Sequence, residues 1–381
     1  MNLELSSEAV EFGLQAARAL RAAGGDDLVQ RAETDPTTRH TTIAAVLERL
    51  GAWDLSPRRD PIELEAAAAL CRSAGYWAIP YPVAERLSRP ADLDADALVV
   101  VAGPEPAAAI DGLDLRVVAV DPEGRRGTVT ARRAGKRTGL DAEVHGETFT
   151  RPDTRMDGEF AVRLGGGFGG EFAVRLGGGV GGESVGRAGG GTVEGTVAPT
   201  DGRTARETVF VTPIAVRPLD TRGADDLALA LVLPCWTLLG MLDRAMELAG
   251  DHVLVREQFG RRLADFQSVQ FQLTDAEVER KGVEMLARYA LWSIQTGQPD
   301  AVADALAARL AVLEAAEIVF RVAHQVHGAV GFCDETTLSW LSRHSLPLRR
   351  LPLGITGTED LLTRRIGARG LAGPFSDPRG A

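Results

Sequence analysis

Lysine is nearly absent from this chain. Of 381 residues only Lys136 and Lys281 carry an ammonium side chain, and arginine supplies the rest of the positive charge. Acidic groups prevail, 53 Asp+Glu against 42 Lys+Arg, for a formal net charge of -11. No basic block interrupts that balance, so no nucleic-acid footprint is expected. Cysteine is scarce too: Cys71, Cys235 and Cys333 form no CxxC pair, and the six histidines show no ligand spacing. Both facts argue against a zinc site or a disulfide framework and fit a reducing, cytoplasmic setting. The opening MNLELSSEAVEF lacks a basic stretch followed by an apolar one, so no signal peptide is expected. The most apolar run, Leu227 to Leu242, is broken by Pro234 and short for a bilayer. It predicts a buried helix and no membrane span.

What is present divides the chain in three. With 45% hydrophobic and 25% charged residues, the chain can build two or three cores. Residues 1–92 read as helical. Ser6-Ser7-Glu8 starts a helix in which Val10, Leu14, Ala17 and Leu20 follow helical spacing, and Gly24-Gly25 stops it. Further helices are expected over 41–50, 61–74 and 83–87, the last after an extended step bracketed by Pro80 and Pro82. Residues 93–222 read as a small β-domain, with β-branched runs at 97–101, 115–120, 128–130 and 208–211. Residues 223–372 return to helical periodicity in long segments, near 226–256, 266–295, 301–330 and 335–341, which predicts a four-helix-type bundle. A tail covers 373–381. The fold class is therefore α+β.

An internal repeat lies within the β-region. Residues 158–169 read GEFAVRLGGGFG, 170–181 read GEFAVRLGGGVG, and the pattern decays through 193. A phosphate cradle needs a defined strand before such a loop and a helix after it. Near-perfect tandem copies instead predict a surface loop or an extra hairpin that arose by duplication.

Three motifs in the last third carry chemistry. Arg256-Glu257-Gln258-Phe259-Gly260, with Phe266-Gln267 downstream, offers a guanidinium fork suited to phosphate oxygens and a glycine that permits close backbone approach. Gln325-Val326-His327-Gly328-Ala329-Val330-Gly331 follows, and then Ile355-Thr356-Gly357-Thr358-Glu359-Asp360. Together with the helix–strand–helix order, these motifs resemble the acyl-CoA dehydrogenase family, and the N-terminal Ala78-Ile79-Pro80-Tyr81-Pro82-Val83 resembles its actinobacterial members.

The resemblance implies FAD as cofactor, bound at a subunit interface, and an acyl-CoA substrate. It assigns Arg256 to the FAD pyrophosphate, Phe259 to packing on the cofactor, Gln267 to its adenine end, Gln325 and Gly328 to a partner's FAD, and Thr358 to FAD directly. Ala329 replaces the motif's second glycine, His327 takes a packing or cofactor-contact place, and Arg343 matches an arginine of the following helix.

The base that removes the α-proton is a glutamate in most of the family. Its position here is Thr356, which leaves Glu359 and Asp360 as the candidates for a catalytic carboxylate. Some members carry the base on the first long helix of the bundle instead, and that position is Ala230. Asp225 and Asp226, one turn earlier, read as helix caps. Where the family directs an arginine to the CoA nucleotide, this chain has Glu284, flanked by Arg280 and Arg288, whose ordinary meaning is a solvated helix face. The resemblance thus implies α,β-dehydrogenation of an acyl-CoA in lipid or sterol breakdown, with this chain as a subunit of a heteromer that lacks the usual glutamate. The alternatives are a stand-alone dehydrogenase with a displaced base, a monooxygenase-like flavin relative, and a non-catalytic scaffold.

Overall fold

A computed structural model describes residues 3–131 and 210–369, which fall within one of the two compact units into which the chain divides. The 158–193 repeat and the 373–381 tail lie outside the described residues.

The helix α1 (Ser7–Ala23) begins as its sequence dictates: Ser6 accepts a hydrogen bond from the Ala9 N–H, and Gly24, at φ 141°, ends it. Its buried face is Ala9, Gly13, Ala16 and Leu20. Val10 and Leu14, expected on the core side, are 46% and 52% exposed. The reason is the close approach of α4 (Pro61–Tyr76), where a Cβ on Gly13 would sit 2.9 Å from the Ala69 Cβ. Only small residues fit that seam. A short α2 (Asp27–Thr34) was not legible from periodicity. A π-helical turn, Arg39–Ala44, leads into α3 (Ala45–Arg49). Asp60 caps α4 by accepting from the Ile62 and Glu63 amides, and α5 (Val83–Leu87) follows Pro82.

The strands β1 (Ala97–Val100), β2 (Ala107–Ala108), β3 (Val117–Val120), β4 (Arg125–Ala131) and β5 (Thr212–Arg222) form one sheet in the order β1-β3-β4-β5-β2. Only β1 and β3 run parallel; their alternation splits the sheet's faces. Leu98, Val118 and Val120 join the helical core, whereas Ala97, Val99, Val117 and Ala119 form a smaller core with Ile110 and Ile214. Of the strand expected over 208–211, residues 208–209 lie outside the described residues; Phe210 occupies a turn at φ 63°, and β5 begins at Thr212.

The long helices α6 (Ala224–Val255), α7 (Gln267–Gln295) and α8 (Ala301–His327) pack side by side. The final part departs from a four-helix reading: α9 (Thr337–Arg350) runs nine residues past its expected end, and α10 (Ile355–Arg369) is an additional helix packed on α8. By length and composition α6 could cross a membrane, but 83% of its apolar stretch is buried within the protein, as a core helix requires.

Glycine sets the crossing of α4 and α6. A Cβ on Gly75 would lie 1.8 Å from the Thr237 carbonyl oxygen, and one on Gly240 would lie 1.9 Å from that of Arg72. The two helices therefore touch backbone to backbone.

Ion pairs overturn two sequence readings. Asp226 is no side-chain cap. It is 2% exposed, bound at 2.9 Å by Arg58 of the N-terminal helices and at 2.6 Å by Arg126 of β4. Arg280 and Glu284 do not form a solvated face either. Both are buried, and Glu284 receives Arg72 at 2.9 Å, Arg288 at 2.8 Å and Lys281 at 3.1 Å. The cations that flank the expected CoA position are thereby committed to carboxylates within the chain.

Candidate functional site

Between α6 and α7 the chain forms a two-stranded hairpin, β6 (Glu257–Gln258) paired with β7 (Arg261–Arg262). Its tip is Phe259 and Gly260, at φ 53° and 75°, the left-handed pair that a tight hairpin turn demands. The turn throws the Phe259 ring outward, 92% exposed. Arg256, at the foot of the hairpin, is exposed and makes no ion pair among the described residues. Gln267 opens α7 and is exposed as well.

Gln325 and Gly328 lie at the end of α8, also exposed. The ends of α6 and α8 are held together by His252 and His327, whose rings stack with centroids 4.2 Å apart. The His327 Nδ1 is also 2.8 Å from the Ala323 carbonyl oxygen, so this ring has a structural place. Burial, and then the neighbouring His327, lowers the pKa of His252, and the same two causes act on His324. Arg256, Phe259, Gln267, Gln325 and Gly328 are thus gathered at one end of the bundle. An unpaired guanidinium, an outward aromatic ring and open glycine backbone fit an anionic cofactor with a flat ring system, approached from outside this chain.

The Thr356–Asp360 segment belongs elsewhere. Thr356 and Gly357 line a groove with Leu313 and Glu317 of α8. Glu317 precedes His327 by ten residues, about 15 Å along the helix. Thr356, Glu359 and Asp360 are exposed. Thr358, assigned by resemblance to FAD, is fully buried, and its hydroxyl donates to the Gly354 carbonyl at 2.9 Å. One chain therefore does not bring Thr358 to the hairpin. Arg343 pairs with Asp334 at 2.8 Å and stacks over Trp340.

Ala230 lines a third place, a pocket of about 110 Å³ between α5, α6 and the sheet, where Glu85, Pro234, Thr237 and Met241 also contribute. Two buried arginines reach its wall. Arg39 donates to the Pro80 carbonyl at 2.7 Å and lies over the Phe210 ring; burial brings its pKa down to about 10. Arg309 donates to the carbonyls of Leu351 and Leu353 at 2.6 and 2.8 Å, and burial lowers its pKa as well. Glu85 escaped the sequence reading. Nothing in its local pattern separates it from a surface glutamate.

The element order, the three long helices and the hairpin define an acyl-CoA dehydrogenase-type architecture. The family of the acyl-CoA dehydrogenase C-terminal domain matches residues 230–371. The chain is 31% identical to 3-sulfinopropanoyl-CoA desulfinase of Paraburkholderia xenovorans over 145 residues, 38% of this chain and 35% of that one. It is 30% identical to acyl-CoA dehydrogenase FadE27 of Mycobacterium tuberculosis over 143 residues, 34% and 35% of the two chains. The match thus spans about a third of each relative's own length. The fold extends further. The ChsE4-ChsE5 complex of Mycobacterium tuberculosis superposes with a TM-score of 0.61 at 16% identity, covering 98% of this chain and all of that one. A steroid ACAD, Tcur3481-Tcur3483, gives 0.63 at 15% identity over 95% and 98%. Residues 230–371 of this chain are thus similar to the acyl-CoA dehydrogenase C-terminal domain, and the chain shares the fold of these dehydrogenases.

Proposed function

We propose that this chain is a flavoprotein subunit of a heteromeric acyl-CoA dehydrogenase, in which it shares an FAD site with a partner subunit that supplies the catalytic base. The observation that carries this reading is the separation of the cofactor residues. Arg256, Phe259, Gln267, Gln325 and Gly328 face outward at one bundle end, whereas the segment that carries Thr356 lies along the middle of α8. A complete site then needs a second chain. When bound, FAD supplies the hydride acceptor of α,β-dehydrogenation. Arg256 would hold its pyrophosphate through a charge-assisted fork, and Phe259 would pack on its ring system. Neither Thr356 nor Ala230 is a proton acceptor near neutral pH, so the base falls to the partner.

Further support comes from α7, where Phe271, Val278 and Met285 recur every seven residues and are 59%, 63% and 52% exposed. Such a stripe suits burial against another helix. The ChsE4-ChsE5 structure is of a complex and the Tcur3481-Tcur3483 structure is of a steroid ACAD; both agree with a heteromer that acts on a sterol-derived or other lipid acyl-CoA.

The test is purification of the chain alone and co-expressed with acyl-CoA dehydrogenase-like partners, with bound FAD read by absorbance and turnover by dye-linked acyl-CoA oxidation. Retained FAD and turnover should require the partner. Stoichiometric FAD and full turnover from the isolated chain would overturn the proposal.

A further inference from the structure

Three histidines meet where α6 and α8 end. His252 stands in the last turn of α6, and His324 and His327 in the last turn of α8. The His252 and His327 rings stack at 4.2 Å, and His324 lies nearly flat against the Phe332 ring at 4.3 Å. All three histidines are half-buried. The Ala323 carbonyl can only accept, so the His327 Nδ1, 2.8 Å away, carries the hydrogen, and its Nε2 is left to take up a proton.

Among the described residues no carboxylate balances this cluster. The charges that act on His252 are those of His327 and Arg256, and the charge that acts on His324 is that of His327. Charged groups on the surrounding elements are engaged elsewhere or exposed: Asp265 accepts from the Arg262 amide, Asp334 pairs with Arg343, Arg261 lies over Phe266, and Asp251, Glu257, Asp275, Arg321 and Glu335 are exposed. Two opposing effects meet here. Burial, and then the nearby positive charge, holds His252 and His324 toward the neutral form. The two helix C-termini, each with a partial negative charge, favour an imidazolium. One added charge tips such a balance.

We propose that His252, His324 and His327 form a proton-accepting extension of the anion site at Arg256: when a diphosphate ester docks there, the cluster gains a proton from solvent, and the bound anion is the counter-charge it lacks. Arg256 is the link. Its amide bonds back one helical turn to the His252 carbonyl at 2.9 Å, and its side chain is exposed and makes no ion pair among the described residues. An anion on Arg256 removes a repulsion from His252 and adds an attraction. Proton uptake then strengthens anion binding by the same free energy with which the anion favours the proton. The inference rests on the reading that Arg256 meets a pyrophosphate, and adds that the strength of its grip is set by pH.

The probe is ADP-ribose, a diphosphate diester that keeps both negative charges from pH 6 to 8, titrated into the full chain by calorimetry. Its affinity should fall about five- to tenfold from pH 6 to pH 7.5, since one linked proton gives at most about tenfold per pH unit. Binding heats in MES and Bis-Tris buffers at pH 6.5 should differ as uptake of up to about one proton requires. The double variant His252→Gln, His327→Gln should bind with nearly one affinity across this range, and His252→Gln alone should show a reduced slope. Arg256→Gln should weaken binding throughout. Far-ultraviolet spectra report that each variant keeps the fold. Binding that Arg256→Gln weakens, but that takes up no proton and ignores pH, would overturn this inference and leave the anion site standing. An undiminished pH slope in folded His252→Gln, His327→Gln would overturn it as well. Absence of binding at every pH would remove the Arg256 site and this inference together.

Discussion

Arg126 and Asp226, a hundred residues apart, meet in a two-pronged ion pair: the guanidinium Nε and Nη2 lie 2.7 and 2.6 Å from one carboxylate oxygen. Arg58 takes the other oxygen at 2.9 Å. The start of α6 is thus tied both to β4 and to the N-terminal helices. Asp226→Asn should leave two guanidinium groups short of their counter-charge and cost about 3–5 kcal/mol, the usual penalty for breaking a buried pair. Urea denaturation measures it. A loss under about 0.5 kcal/mol, typical of a surface change, would show that the pair is not structural.

Two glycines of α6 make a controlled contrast. At Gly240 an added methyl meets the Arg72 carbonyl at 1.9 Å, but at Gly250 it meets nothing within 4 Å. Gly240→Ala should destabilise the fold by about 1–3 kcal/mol or more through overpacking. Gly250→Ala should raise stability by about 0.5–1 kcal/mol, because the helix gains propensity without a clash. Similar melting shifts for both variants would refute the backbone contact between α4 and α6.

Acid should weaken the bundle through Glu284. Burial alone would raise its pKa, but Arg72, with Lys281 and Arg288, holds it down to about 2. The folded value is depressed, so the stabilisation is fully present above the unfolded pKa of roughly 4.3 and is lost as pH falls toward 2. Denaturation midpoints between pH 6 and 2.5 should fall more steeply for the unmodified chain than for Glu284→Gln. Parallel curves would sink this assignment.

Phe259 projects from the hairpin with 92% of its surface free. Phe259→Ala should therefore leave the stability of the isolated chain within about 0.5 kcal/mol. If the ring is an interface anchor, affinity for the partner subunit should fall about thirtyfold, corresponding to about 2 kcal/mol for an aromatic hot spot. Sedimentation velocity follows the assembly, and flavin absorbance follows the cofactor. A lowered melting point with unaltered assembly would place the ring's role inside the fold instead.

Much of this was legible in the sequence because it is local. The three long helices follow from a repeat of 3.6 residues sustained over many turns; the Arg256–Gly260 motif was legible as a contiguous stretch, but its hairpin was not foreseen. Long-range partners and one short helix were not legible. The helix α2 has eight residues, too few for a periodic pattern to stand out. On α1 Leu20 was placed correctly, but Val10 and Leu14 pointed to the wrong face, because α4 comes too close at Gly13 for a larger residue. Asp226 and Glu284 looked like a cap and a surface charge; their partners Arg126 and Arg72 lie 100 and 212 residues away. Glu85 and Ala230 have no sequence relation at all, and only the fold brings them to one pocket.

The contact between Gly240 and Arg72 also acts as a rotational lock. A helix held by ordinary side chains can roll on its neighbour by repacking them, but one held backbone to backbone has no soft atoms to yield. Rolling α6 by one residue, about 100°, would carry Ala230 off the pocket wall and turn Leu229 or Leu231 toward it. The orientation that leaves a small residue on the pocket wall is thus set nearly three turns away, by an atom that glycine does not have.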